Sequence, residues 1–147
     1  MSAEDPLIAC PHCAAMNRVP LARLAEAPAC GRCHHPLFTG VPLALGEADF
    51  DRHALRGTLP LLVDFWAPWC GPCLQMAPHF QRAAGLLEPA IRLAKVDTEA
   101  SPGLGNRFGI RSIPTMVLLQ GGREIARQSG AMPAEAIVRW AKGQVVG

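Results

Sequence analysis

Leu61-Leu62-Val63-Asp64-Phe65-Trp66-Ala67-Pro68-Trp69-Cys70-Gly71-Pro72-Cys73 decides the fold of this chain. Its first six residues form an almost continuous apolar run, the pattern of a strand covered on both faces. The stretch Leu74 to Leu87 that follows is helix-like, with Pro78 placed to kink it. Cys70 and Cys73 therefore stand three apart where a buried strand gives way to a helix. At that spacing two cysteines can close a small disulfide ring. The first sulfur then sits near the unpaired N–H groups and positive dipole end of the helix, which favours its thiolate, the form that performs disulfide exchange. The pair reads as a redox dithiol.

Working outward, Val41-Pro42-Leu43-Ala44-Leu45 predicts a first strand, and Pro42 places it at a sheet edge. Glu47 to Arg56 predicts a helix with Phe50 and Leu55 inward and Gly57 as its stop. Downstream, Ile91-Arg92-Leu93-Ala94-Lys95-Val96 predicts a third strand leading to Asp97. A weak helix follows, capped by Ser101 with Pro102 in its first turn and weakened by Gly103 and Gly105. Thr115 to Leu119 and Glu124 to Gln128 flank Gly121-Gly122, a pair suited to a tight hairpin. Pro133 opens a final helix in which Ile137, Trp140 and Ala141 share one face. The order βαβα, then ββα, predicts an α/β fold: a central mixed sheet with helices on both faces.

The chain has 147 residues, room for one ordinary domain of about 100 residues and a smaller module. The boundary is expected near residue 38, giving a module over 1–38 and a domain over 39–147. Four of the six cysteines lie in the first part, as Cys10-Pro11-His12-Cys13 and Cys30-Gly31-Arg32-Cys33. Two such pairs with a 16-residue spacer form the pattern of a zinc ribbon, in which two knuckles bring four thiolates to one tetrahedral ion. Gly31 is expected to let the backbone turn toward the metal. So small a segment has few apolar residues, so zinc would supply its folding energy. Cys10, Cys13, Cys30 and Cys33 are the expected ligands, with His12, His34 and His35 outside the coordination sphere. Iron is the competing metal.

The formal charge of +2 and the absence of any basic run argue against nucleic acid or an anionic membrane as partner. Within residues 1–40, Arg18, Arg23 and Arg32 are matched by Glu4, Asp5 and Glu26. Met1-Ser2-Ala3-Glu4-Asp5-Pro6 carries acidic residues where a secretory leader carries basic ones, and no segment reaches membrane-spanning length. A cytoplasmic location is expected, where cysteines serve as metal ligands and catalytic thiols rather than as structural disulfides.

Asp64 is an ionisable group inside an apolar strand, so burial should raise its pKa unless a cation such as Lys95, in the neighbouring predicted strand, pairs with it. The motif Trp69-Cys70-Gly71-Pro72-Cys73, its approach Asp64-Phe65-Trp66-Ala67-Pro68 and the run Arg107 to Thr115 resemble the thioredoxin family from about residue 41 to 142. Residues 10 to 38 resemble the zinc module preceding the zinc-containing second thioredoxin of bacteria. The resemblance implies a thioredoxin fold and a protein-disulfide reductase with a Cys70–Cys73 redox disulfide. It places Asp64 beneath Cys73 as its proton acceptor, with Lys95 as neighbour. It also implies a cis Ile113-Pro114 bond against the dithiol and a client groove bordered by Trp69, Gly71, Pro72, Ile113, Pro114 and Gly130. Expected partners are disulfide-containing client proteins and an NADPH-dependent thioredoxin reductase, with the chain acting as a monomer. Leu74 departs from the basic residue that commonly follows the second cysteine in this family.

Two other activities compete. One makes the ribbon primary, as a redox-switched chaperone or interaction module that releases metal on oxidation, with the domain that follows as its regulator. An oxidase or isomerase would need a less reducing dithiol than the Gly71-Pro72 pair implies by resemblance. Cys10-Pro11-His12-Cys13 matches the motif of periplasmic thiol oxidases, but the second cysteine pair downstream and the expected lack of a buried strand before it favour a metal knuckle.

Overall fold

The structure is a computed structural model that describes residues 5–145. Met1 to Glu4, read above for a leader, and the last two residues of the 39–147 region lie outside the described residues. The elements are β1 (Leu7–Ala9), β2 (Met16–Arg18), β3 (Leu43–Ala44), β4 (Leu61–Trp66), α1 (Gly71–Leu87), β5 (Arg92–Asp97), α2 (Pro102–Arg107), β6 (Thr115–Gln120), β7 (Arg123–Ser129) and α3 (Ala134–Gln144).

Five strands form one sheet in the spatial order β3-β5-β4-β6-β7. Strand β4 runs parallel to β5 and antiparallel to β6, which makes the sheet mixed. The hairpin β6–β7 turns through Gly121 and Gly122 at φ 60° and 81°, a left-handed pair that glycine adopts without steric penalty. Alternation along the strands divides the core into two layers. Leu62, Leu93 and Leu118 pack under α1 and α3, against Met76, Phe80 and Ile137. Val63, Phe65 and Val117 face the other way, toward Phe50, Leu104 and Phe108. Asp64 shares the parity of Leu62, so it points to the α1 side of the sheet, the side on which Cys73 opens the helix.

Several local expectations are corrected. The first strand covers only Leu43–Ala44; Pro42 has no N–H to add to the ladder, and the strand does occupy the edge. The helix expected over Glu47 to Arg56 is shorter: residues 47–49 form a turn, and the helical stretch covers 50–56, its last five residues, Arg52–Arg56, being π-helical. The inward positions are Phe50 and, three and four residues on, His53 and Ala54, while Leu55, five residues on, is exposed and lies against the Gly122 turn. Burial pushes the His53 pKa down to about 4, with Arg92 acting in the same direction, so its ring is neutral at neutral pH. Gly57 does end this turn: a Cβ there would lie 2.5 Å from the His53 carbonyl oxygen. Helix α1 starts at Gly71 rather than Leu74, and the Ser101 side chain makes no capping bond to α2.

The N-terminal region builds a β1–β2 hairpin and a 3₁₀ turn, Leu21–Glu26. Its own small core joins Ile8, Val19 and Leu37 to Leu59, which leads into β4. Leu7 and Thr58 bond reciprocally: Leu7 N–H donates to Thr58 Oγ1 at 2.8 Å, and Thr58 N–H to the Leu7 carbonyl at 2.9 Å. The hairpin is thereby docked at the foot of β4. The cysteine pair of α1 lies beyond the strand's other end, roughly 20 Å away at about 3.3 Å per residue.

Candidate functional site

Cys70 caps α1 and Pro72 occupies its first turn, where the absent proline N–H loses nothing. The two cysteines are joined as a disulfide with Cα atoms 5.2 Å apart. Cys73 N–H donates to Cys70 Sγ at 3.3 Å, an instance of the helix-terminal N–H groups converging on the first sulfur. Trp69 is 69% exposed, and Gly71 and Pro72 are exposed too, whereas Cys73 is buried at 1%. Cys70 is itself only 5% exposed, so both cysteines of the disulfide are buried and Cys70 is the one beside the exposed rim. Leu74 is 53% exposed on the same first turn.

The Ile113-Pro114 peptide is cis, and the Ile113 carbonyl oxygen lies 3.7 Å from Cys70 Sγ. Ile113 packs against the cluster of Ala67, Cys70 and Cys73. Gly130, at φ 99°, donates its N–H to the Pro114 carbonyl at 2.9 Å. A groove of about 260 Å³ continues this surface between Trp69, Ile113, Ser112 and the start of α2.

Asp64 and Cys73 line one pocket of about 470 Å³ together with Lys95, Trp66, Val41 and Pro42. Asp64 pairs in register with Lys95 across parallel strands. Among the described residues no ion pair joins them; the Lys95 ammonium lies 4.6 Å over the Trp66 ring. Asp64 is 4% exposed and its Oδ1 has no hydrogen-bond partner. Burial raises its pKa to about 7, the Lys95 charge only partly opposing this. The carboxyl is therefore poised between its two protonation states at neutral pH.

At the other end of the molecule, Cys10, Cys13, Cys30 and Cys33 bring four free Sγ atoms within 4.8 Å of one another. The closest approaches cross between knuckles, 3.6 Å for Cys10–Cys33 and 3.7 Å for Cys13–Cys30. A tetrahedron with zinc–sulfur bonds of about 2.3 Å has edges of about 3.8 Å, so the donor set fits the ion. Backbone N–H groups of His12 and Cys13 point at Cys10 Sγ, and that of Arg32 at Cys30 Sγ. Asn17 donates to Cys30 Sγ at 3.5 Å and accepts from Gly31 N–H at 2.9 Å. Backbone N–H donation around Cys33 and, against desolvation, the Asn17 and Arg32 donors hold the Cys30 thiol below its ordinary pKa.

His12 and His35 stack at 3.7 Å outside this cluster, and His34 is exposed. Gly31 opens the turn of the second knuckle but without a left-handed φ; the left-handed residues that close the knuckles are Ala14 and His34, each directly after a second cysteine and each at φ 67°. Contrary to expectation, a short strand with Ile8 and Ala9 buried does precede Cys10. What separates this pair from a redox site is that the chain turns back after Cys13 instead of continuing as a helix. Arg92 is the residue the sequence reading passed over, although a cation in an apolar strand is the same signal that marks Asp64.

The Thioredoxin family profile matches residues 41–143, and the profile described as Thioredoxin 2, N-terminal matches residues 9–35. Thioredoxin C-3 of Corynebacterium nephridii is 45% identical over 139 residues, covering 95% of each chain. Thioredoxin 1 of Synechococcus elongatus is 39% identical over 93 residues, 63% of this chain and 87% of its own. Thioredoxin of Haemophilus influenzae is 37% identical over 91 residues, 62% of this chain and 85% of its own. The dithiol at the head of α1, set in a mixed sheet flanked by helices, is that of a thiol-disulfide oxidoreductase. The chain belongs to the thioredoxin family, with a zinc-ribbon module before the main domain.

Proposed function

We propose that this chain reduces disulfides of client proteins in the cytoplasm, acts as a monomer, and is recharged by an NADPH-dependent thioredoxin reductase. Cys70 thiolate attacks a client disulfide, forming a Cys70–client bond and releasing one client thiolate. Cys73 then loses its proton to Asp64, directly or through water, and its thiolate attacks Cys70 sulfur. The second client thiolate leaves, two electrons have passed to the client, and Cys70–Cys73 is the oxidised product. The observation that carries the reading is the placement of the pair: Cys70 stands at the helix start beside the exposed Trp69, Gly71 and Pro72, and Cys73 shares a pocket with a carboxyl of raised pKa.

Lys95 keeps Asp64 from being fully protonated at neutral pH. Trp69, Gly71, Pro72, Ile113, Pro114 and Gly130 border the groove in which an extended client segment would pair with backbone. Cys10, Cys13, Cys30 and Cys33 hold one structural zinc ion, which when bound draws the two knuckles together and leaves no open position for chemistry. The division into a ribbon over 1–38 and a thioredoxin domain over 39–147 belongs to the same reading. NADPH consumption by thioredoxin reductase, with this chain and a disulfide-bonded protein substrate, tests it against a Cys70→Ser blank. Sustained turnover lost in the blank is expected. No turnover from protein whose dithiol is shown to be reduced at the start would overturn the reading.

A further inference from the structure

Arg92 opens β5 and is 4% exposed, yet among the described residues no carboxylate forms an ion pair with it. Its guanidinium turns to the ribbon instead. Nη1 donates to the Ala9 carbonyl oxygen at 2.8 Å, and Nη2 donates to the Leu37 carbonyl oxygen. The cation also lies 5.1 Å over the Phe38 ring. Ala9 directly precedes Cys10, and Leu37 comes shortly after Cys33. All four metal-site cysteines therefore lie on the loop whose two ends this one side chain holds.

We propose that Arg92, a residue of the catalytic sheet, is a positioning residue of the metal centre: it clamps both ends of the cysteine-bearing loop, so metal retention and order at the foot of the sheet depend on each other. The inference rests on the zinc reading of the four-cysteine cluster. Three physical arguments carry it. Two carbonyls far apart in sequence are held by one rigid planar fork, which a lysine ammonium cannot reproduce because it is a point charge on a flexible stem. Without the guanidinium both carbonyls lose a charged donor in a dry junction, which is costly, and the loop ends lose their tie. Four thiolates around a divalent ion leave two negative charges, and a cation bonded to Ala9, next to Cys10, opposes them. Coupling of this kind is reciprocal, so whatever Arg92 does for the metal, the metal does for the residues around Arg92.

The experiment uses the full-length chain, loaded with zinc and checked for stoichiometric metal, at a temperature where circular dichroism shows the variants folded. Zinc release to the chromogenic chelator 4-(2-pyridylazo)resorcinol is followed for wild type, Arg92→Met and Arg92→Lys. Release is expected to be roughly ten- to a hundredfold faster in Arg92→Met, with Arg92→Lys failing to restore it fully. Release within about twofold of wild type would overturn the proposal, since a group that merely adds stability leaves the folded protein's metal in place. Should Arg92→Met not fold, wild type alone decides. The Arg92 amide bonds to the Pro60 carbonyl at 2.9 Å, and its hydrogen exchange should accelerate when zinc is stripped while that of Leu118 does not. Unchanged exchange at Arg92 would overturn the proposal. No stoichiometric zinc in wild type would overturn both this inference and the zinc reading, whereas bound zinc with unchanged release overturns this inference alone.

Discussion

Three Cys-x-x-Cys pairs occur in this chain, and two kinds of chemistry come from them. At Cys10–Cys13 and at Cys70–Cys73 the first sulfur accepts the N–H of the second cysteine, at 3.4 and 3.3 Å. The local motif is thus shared down to its hydrogen bond. The difference lies in the next residue. Ala14 and His34 take left-handed backbone, so the chain doubles back and two knuckles face each other across a metal-sized gap. Leu74 is helical, so the chain runs on through Leu87 and the second sulfur is carried inside against the sheet. One backbone dihedral after the motif separates a metal ligand pair from a redox pair.

The largest effects come from removing sulfurs, and they should not cross over. Cys70→Ser is expected to abolish reductase turnover while leaving zinc content at one ion per chain. Cys73→Ser should accumulate mixed disulfides on Cys70, visible by mass spectrometry after incubation with clients. Cys10→Ser should do the opposite, losing zinc and melting the ribbon, because a structural zinc site contributes on the order of 10 kcal/mol of apparent binding energy. Its turnover at low temperature should survive. Zinc loss in Cys70→Ser, measured by elemental analysis, would break the separation drawn here.

The same contrast explains what the sequence disclosed. Strand β4, the hairpin turn and the dithiol are set by neighbours in the chain, so their patterns are local and readable. The four-cysteine spacing is readable for the same reason. Nothing in the sequence marks the role of Arg92, because its acceptors lie 83 and 55 residues away and no periodicity links them. The expectation for Leu55 fails because it lies five residues from Phe50, whereas the face that packs inward continues from Phe50 through His53 and Ala54. Gly31 drew attention as a glycine, while the left-handed positions belong to Ala14 and His34, residue types that do not advertise such a conformation. Asp64 stood out in the sequence, but the extent to which Lys95 leaves it uncompensated depends on that lysine lying over Trp66.

An intermediate effect follows from Asp64, a buried carboxyl beside the redox pair that has no counterpart in the four-sulfur cluster. Its native pKa of about 7 lies above the ordinary value of 3.8. Below about pH 4 the carboxyl is protonated whether the chain is folded or not, and its burial carries no charge penalty. As pH rises the unfolded chain ionises first, so native stability falls until the folded carboxyl also ionises near pH 7. Asp64→Asn removes this slope and should stabilise the oxidised protein above pH 7 by up to about 4 kcal/mol, at about 1.4 kcal/mol per pH unit. Urea unfolding at several pH values checks it; parallel curves for the two proteins would show that Asp64 is not held in its neutral form. The same substitution should slow resolution of the mixed disulfide near neutral pH, so a stability gain would accompany a loss of rate.

The smallest effect tests the comparison most directly, because the same substitution should have opposite signs at equivalent positions. Ala14 follows the second cysteine of a knuckle at φ 67°, where a Cβ is disfavoured by roughly 1 kcal/mol or more. Ala14→Gly relieves that strain and gives back part of the gain as added freedom in the unfolded chain, leaving a net stabilisation of about 0.5 kcal/mol. Leu74 follows the second cysteine of the redox pair within a helix and is 53% exposed, so little packing is lost on truncation. Leu74→Gly should destabilise by about 1 kcal/mol from helix propensity alone. Chemical denaturation of the zinc-loaded, oxidised protein measures both. Effects of the same sign would mean that the residue after the motif does not set the fate of the pair, and that the later course of the chain, helix or hairpin, imposes it from outside.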